Sequence, residues 1–311
     1  GYVDELKQKV SLKVTELLNQ IAPMGECNLV KEVSQQLPIY TLSEILGIPD
    51  EDRQKLVSWM EFLELAQYFT YEMIKEQNEG KTDSTPDPAM IDMFNVMIDE
   101  MFDYGRFILK KKRKHPSNDL LSAIANAKIK GQELSDEFLD GSWLLIIFAG
   151  NDTTRNTMSG GIKLLHDNQH QKELLINNHD LLPGFINETV RCVSPVIHMR
   201  RTSLIETEIG GQKIGPHEKI ALWYGAANRD PEIFDKPDEF NIQRENAEKH
   251  LAFGIGRHTC LGKPIALMQL NEFYSQFLQR FPDFEMNGEW KVAPNNFVHA
   301  IQEMPIKFTK E

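Results

Sequence analysis

Phe253-Gly254-Ile255-Gly256-Arg257-His258-Thr259-Cys260-Leu261-Gly262 is the stretch whose reading decides the fold. Its glycines, at 254, 256 and 262, allow positive φ and let another body approach the backbone closely. A lone cysteine ends the run, and the amphipathic pattern over residues 262–281 predicts a helix directly behind it. The positive end of a helix is a setting in which a cysteine sulfur takes its anionic, metal-ligating form. Taken alone, the stretch fits a buried structural cysteine beside a glycine turn equally well.

Composition narrows the surroundings of this loop. A chain of 311 residues can bury a sizeable core, as one large domain or two ordinary ones. With 41% hydrophobic and 26% charged residues it falls in the soluble globular class. Its longest apolar run, residues 143–149, is too short to span a bilayer and is soon interrupted by Asn151 and Asp152. The net charge of −12 argues against nucleic acid as the main partner. The one basic run, Lys110-Lys111-Lys112-Arg113-Lys114, ends a predicted helix, where cations complement the dipole and solvate readily. Cys27, Cys192 and Cys260 are too widely spaced for a disulfide framework or a Cys-x-x-Cys metal site, which implies a reducing, cytoplasmic compartment. No secretory leader is expected from these residues, and Gly1 in place of Met implies numbering that begins inside a longer product.

Helical spacing dominates residues 1–113. Val10, Leu12, Val14, Leu17, Leu18 and Ile21 recur close to helical spacing, and a second helix over residues 28–46 exits at Gly47-Ile48-Pro49. Asp50 is expected to cap a third helix, carrying Leu56, Trp59, Phe62 and Leu63. Residues 78–88 (NEGKTDSTPDP) read as a mobile loop. The helix after them has a stripe of Met90, Met93, Phe94, Met97 and Met101, either ordinary core or a ligand-facing lid. Residues 116–129 predict a shorter helix and a turn at Lys130-Gly131. Ser135 then caps a long helix that is apolar nearly all round over residues 143–148, so it should pass through the middle of the protein. Residues 182–193 form another helix; residues 196–220 read as short antiparallel strands, and residues 225–249 as an irregular connector. The sum is mainly α with a minor β portion.

Within the long helix lies Ala149-Gly150-Asn151-Asp152-Thr153-Thr154. A glycine and polar side chains in a buried helix cost propensity and desolvation, and a cost of that kind marks function or a satisfied helix kink. Asp152 with Thr153 is an acid–alcohol pair able to relay protons and orient water. Glu188-Thr189-Val190-Arg191 sets opposite charges on one helix face, a weak pattern that also describes an exposed ion pair.

In order, these stretches resemble the cytochrome P450 family of haem-thiolate monooxygenases, over residues 5–308. The cysteine loop matches the family's F-G-x-G-x-H/R-x-C-x-G, residues 149–154 its A-G-x-D/E-T-T/S, and Glu188 with Arg191 its E-x-x-R. The resemblance implies a cytochrome P450 fold lacking its N-terminal segments, with residues 1–311 as a single haem-binding monooxygenase domain that starts at the fourth or fifth family helix. It implies haem b (iron protoporphyrin IX) as cofactor, with Cys260 as thiolate ligand of the iron and Phe253 packed near that sulfur. By the same resemblance His258 and Arg201, with Arg200 as fallback, pair with the haem propionates. Gly254 belongs to the ligand loop, Ala149 and Gly150 border the haem, and Gly150 opens space for oxygen. Asp152 and Thr153 match the proton-delivering pair, and Glu188, Arg191 and Arg244 the buried charge triad that fixes the loop.

The wider context around Asn156, around Ser194-Pro195-Val196-Ile197-His198-Met199 and around Trp223-Tyr224-Gly225 is similar to the bacterial branch that oxidises sterol side chains, terpenoids, fatty acids and alkanes. Leu145, Phe148, Ala149, Val196 and Ile197 are candidate walls for a small apolar substrate, or ordinary core. A separate ferredoxin and ferredoxin reductase are the implied electron donors, with Lys249, Arg257 and Lys263 as a docking face and dioxygen as co-substrate. Two alternatives remain at this stage. One is a haem protein that binds ligand without turnover; the other is an enzyme with Cys260 as nucleophile and His258 as its base.

Overall fold

The computed structural model describes residues 2–80 and 88–311. Ten helices carry the architecture among them: α1 (Tyr2–Ile21), α2 (Gln36–Leu46), α3 (Arg53–Asn78), α4 (Pro88–Lys114), α5 (Leu120–Ala125), α6 (Asp136–Asp167), α7 (Gln169–Asn177), α8 (Leu182–Val193), α9 (Tyr224–Ala227) and α10 (Lys263–Arg280). The strands are short: β1 (Glu26–Asn28), β2 (Lys128–Ile129), β3 (Gln132–Glu133), β4 (His198–Thr202), β5 (Thr207–Ile209), β6 (Gln212–Ile214), β7 (Lys219–Trp223), β8 (Glu285–Met286), β9 (Lys291–Val292), β10 (Ile301–Glu303) and β11 (Pro305–Lys307). All pair antiparallel: β1 with β11 and β11 with β8, β10 with β9, and the hairpins β2–β3, β4–β7 and β5–β6.

Local chemistry explains most boundaries. Gly47 ends α2 in the left-handed region at φ 64°, and Ser135 caps α6 by accepting the Phe138 amide at 3.3 Å. Four expectations need correction. Asp50 does not cap α3: it opens a 3-10 turn behind Pro49 and pairs with Arg53 at 2.6 Å, a short-range charge contact winning over the cap. The helix expected over residues 116–129 shrinks to α5, because Asp119 caps it late, accepting the Ser122 amide at 2.7 Å, and a hairpin consumes its end. The basic run is not wholly solvated, since Lys112 pairs with Asp119 and Arg113 donates to the Ala125 carbonyl at 2.8 Å. Of the methionine stripe only Met101 is buried, whereas Met93 is exposed. The loop expected over residues 78–88 lies, for residues 81–87, outside the described residues.

Two apolar clusters hold the chain together, and α6 belongs to both. Leu139, Trp143 and Ile147 pack with α2, the start of α3 and the second half of α4. Met158, Ile162 and Leu165 pack with α1, α8, α10 and the C-terminal strands. Between the two sets, α6 buries polar residues: Asn151, Asp152, Thr154, Arg155, Asn156 and Thr157. The candidate motif thus sits where the helix passes from one core to the other.

Candidate functional site

The cysteine loop is fixed by its own backbone. Gly254 and Gly256 take φ of 69° and 68°, which L side chains rarely adopt, and the loop closes where the Cys260 amide donates to the Phe253 carbonyl at 2.8 Å. The Gly254 amide donates to Leu251, and the Thr259 amide and hydroxyl both reach the Gly256 carbonyl. A Cβ on Gly254 would stand 3.1 Å from the His258 carbonyl, so glycine lets the two sides of the loop meet. Cys260, His258 and Leu261 nonetheless lie exposed, Leu261 at 82%. Burial raises the thiols of Cys27 and Cys192 to about 12 and about 11, whereas Cys260 is the exposed cysteine.

Behind the loop lies a charge network. Glu188 and Arg191, both fully buried, form a bidentate pair at 2.8 Å, and Arg244 donates its Nε to the same carboxylate at 3.1 Å. The exposed ion pair that the spacing also allowed is excluded by this burial. Arg191 further donates to the carbonyls of Asn228 and Pro237, and its guanidinium faces the Phe234 ring at 5.1 Å. Asn228 in turn accepts the Leu251 amide at 2.6 Å, three residues ahead of Gly254. The triad therefore reaches the cysteine loop through Asn228, a buried residue that only its polarity inside an irregular connector would have flagged.

On α6 the acid–alcohol pair divides its bonds. Asp152, 8% exposed, lies 3.5 Å from Arg155 and accepts the Asn151 amide at 3.0 Å. Burial raises its carboxyl above the ordinary value, and Arg155 and Asn151 oppose that rise. Thr153 donates to the Ala149 carbonyl at 3.2 Å, one turn back. Ala149 is exposed and Leu145 is 65% exposed, so one face of a helix otherwise buried at Trp143 and Ile147 stands open. The expectation that α6 is enclosed all round gives way to this apolar open face. A Cβ on Gly150 would meet Leu42 of α2 at 3.0 Å; the space a glycine leaves there serves helix packing, and the opening lies on the Ala149 side.

Arg201 is half-buried on β4 and donates to the Arg200 carbonyl at 3.0 Å, while Arg200 is exposed. Among the wall candidates, Phe148 stacks on Phe297 at 6.1 Å, and the Phe297 carbonyl accepts the Ile197 amide at 2.8 Å. Phe297 joins α6 to residues 196–197, and nothing in its local sequence signals that role. A soft exposed sulfur, the N–H donors of His258 and Arg201, and open apolar surface on Leu145, Ala149, Ile255 and Leu261 fit the chemistry of a flat apolar ligand that carries a metal and acidic groups. Among the described residues, no helix is long and apolar enough to cross a membrane.

Comparison with known proteins gives one answer. The cytochrome P450 family profile matches residues 50–308. A steroid C26-monooxygenase of Mycolicibacterium smegmatis is 32% identical over 94% of this chain and 70% of its own. Linalool 8-monooxygenase of Pseudomonas putida is 31% identical over 97% of this chain and 70% of its own. Among solved structures, substrate-free CYP109E1 from Bacillus megaterium superposes with a TM-score of 0.85 at 28% identity, covering 99% of this chain and 77% of that one.

Proposed function

The chain belongs to the cytochrome P450 family, and we propose that it hydroxylates an unactivated C–H bond of an apolar terpenoid, steroid or fatty-acid-like molecule. The family is one of haem b oxidoreductases, and the relatives above are named as monooxygenases. When bound and thiolate-ligated, haem supplies the means to cleave dioxygen and insert one of its atoms, with two electrons and two protons consumed and water released.

In this reading Cys260 provides the thiolate from a loop that its own amide holds closed. His258 and Arg201 pair with the propionates, Phe253 and Gly254 shape the backbone around the sulfur, and Ala149 and Gly150 border the group from α6. Asp152 holds a proton more readily than an exposed carboxyl would, because it is buried. Thr153, whose own proton is committed to the Ala149 carbonyl, keeps its oxygen lone pairs for a water. Leu145, Phe148, Val196 and Ile197 give the substrate an apolar wall, which the steroid and linalool names of the relatives support.

Residues 1–311 act as one haem-binding domain, since both apolar clusters share α6. Electrons come from a separate ferredoxin and its reductase, received near Lys249, Arg257 and Lys263, and the compartment is the cytoplasm, in keeping with free cysteines. The exposed thiol of Cys260 in a rigid loop carries this proposal. Its test is the absorption spectrum of the reduced, CO-bound protein. A red-shifted, thiolate-type Soret band lost in Cys260→Ser is the expected result, and its absence from the unmodified protein overturns the reading. A panel of terpenoids, sterols and fatty acids, scored by the high-spin shift, sorts the substrate class.

A further inference from the structure

His250 stands ten residues ahead of Cys260, after a 3-10 turn (Ala247–Lys249) that packs on α8, and is only 6% exposed. Its Nδ1 accepts the backbone N–H of Ala252 at 3.2 Å. A neutral imidazole has one donor and one acceptor, so the proton sits on Nε2, which meets no hydrogen-bond partner among the described residues. The ring lies 5.6 Å from that of Phe253, and the Lys263 ammonium lies over the same phenyl ring at 5.4 Å. Four amides on the way to the sulfur have named acceptors: Leu251 in Asn228, Ala252 in His250, Gly254 in Leu251, and Cys260 in Phe253.

We infer that His250 is a positioning residue for the thiolate loop, its Nδ1 lone pair fixing the Ala252 amide and, through Phe253, the sulfur of Cys260. The inference rests on the reading of Cys260 as the haem ligand. Protonation would remove that lone pair and set an N–H against the Ala252 N–H. The charged groups facing the ring are Lys263 of α10 and Arg191 of α8, which disfavour an imidazolium, and Glu248 and Glu188, which favour one. Burial, the largest cause, acts with the two cations against the two carboxylates and lowers His250 to about 4, so the lone pair is present across the neutral range.

The test compares haem-loaded full-chain variants by the position of the reduced CO band and its dependence on pH. Asn can accept the i+2 amide with its Oδ1, the geometry of an Asx-turn, whereas Gln is one methylene too long and Leu has no acceptor. His250→Asn should keep the thiolate-type band, and keep it to lower pH than the unmodified protein because nothing titrates. His250→Gln and His250→Leu should move most of the absorption to the band shown by Cys260→Ser. If Gln, Asn and the unmodified protein share one band and one pH profile, the inference is wrong, whether or not the Leu variant folds. If the unmodified protein already matches Cys260→Ser, it is the ligand assignment that fails instead.

Discussion

The carboxylate of Asp152 faces the guanidinium of Arg155 at 3.5 Å, one turn along the same helix and itself only 2% exposed, rather than the hydroxyl of adjacent Thr153. Because burial raises the Asp152 carboxyl above 3.8, the folded protein binds a proton there that the unfolded chain has lost. Its contribution to stability is full below the ordinary value and disappears as pH rises through the raised one. Arg155→Met removes the cation that limits the rise, so the fall in stability should move to higher pH. Asp152→Asn should remove that component of the slope. Urea unfolding between acid and neutral pH measures both.

Thr153→Ala removes the oxygen that orients water while leaving the helix bond ladder intact. Electron consumption should continue while product formation falls, the difference appearing as hydrogen peroxide. Coupling should fall well below that of the unmodified protein, because the water that Thr153 orients loses its partner. Unchanged coupling would count against a proton role for this hydroxyl.

Glu188→Gln preserves shape and strands the charges of Arg191 and Arg244. A loss of about 3–5 kcal/mol is expected, read by denaturant unfolding. As a reference, Glu303→Gln breaks the half-exposed Lys291–Glu303 pair at 2.9 Å and should cost less than about 1 kcal/mol.

Gly254→Ala and Gly256→Ala impose the same backbone penalty, about 1–2 kcal/mol, because both residues have φ near 70°. Only at Gly254 would the new methyl also press on the His258 carbonyl, whereas nothing lies within 4 Å at Gly256. Thermal unfolding should therefore rank Gly254→Ala as the more damaging, with haem retention following the same order.

Gly161→Ala would drive a Cβ into the ring of Tyr274, 2.8 Å from its Cζ, where the hydroxyl donates to the carbonyls of Thr157 and Met158 at 2.8 and 3.0 Å. Tyr274→Phe alone should cost about 1–2 kcal/mol from carbonyls left short of a donor. Combining the two substitutions should cost less than the sum, because the hydroxyl is part of the collision; a double-mutant cycle reports the coupling.

Local signals were legible where they act within a few residues. Ser135 announced the start of α6 and Gly47 the end of α2, since cap and left-handed exit are decided by adjacent atoms. The membership of the cysteine loop was legible because its glycines, its sulfur and the following helix lie in one run. The role of Glu188 and Arg191 is legible through the family resemblance and not through their spacing, because their burial comes from residues 228–244 folding over them, and Ser194 ends α8 at φ 44° without the glycine that usually marks such an exit. Whether Leu145 is wall or core is undecided in the sequence for the same reason: periodicity tells which residues are apolar, and only the tertiary arrangement tells which of them find neighbours.

β1 takes its partner from the far end of the sequence, with Glu26 opposite Lys307 and Cys27 opposite Ile306. Loop-closure entropy makes such a contact late as well as costly. During synthesis α1 must then wait, with an unpaired strand edge beside it, until residues 305–307 have left the ribosome. The interval in which this strand edge is open to misassociation is set by the time needed to translate from β1 to β11.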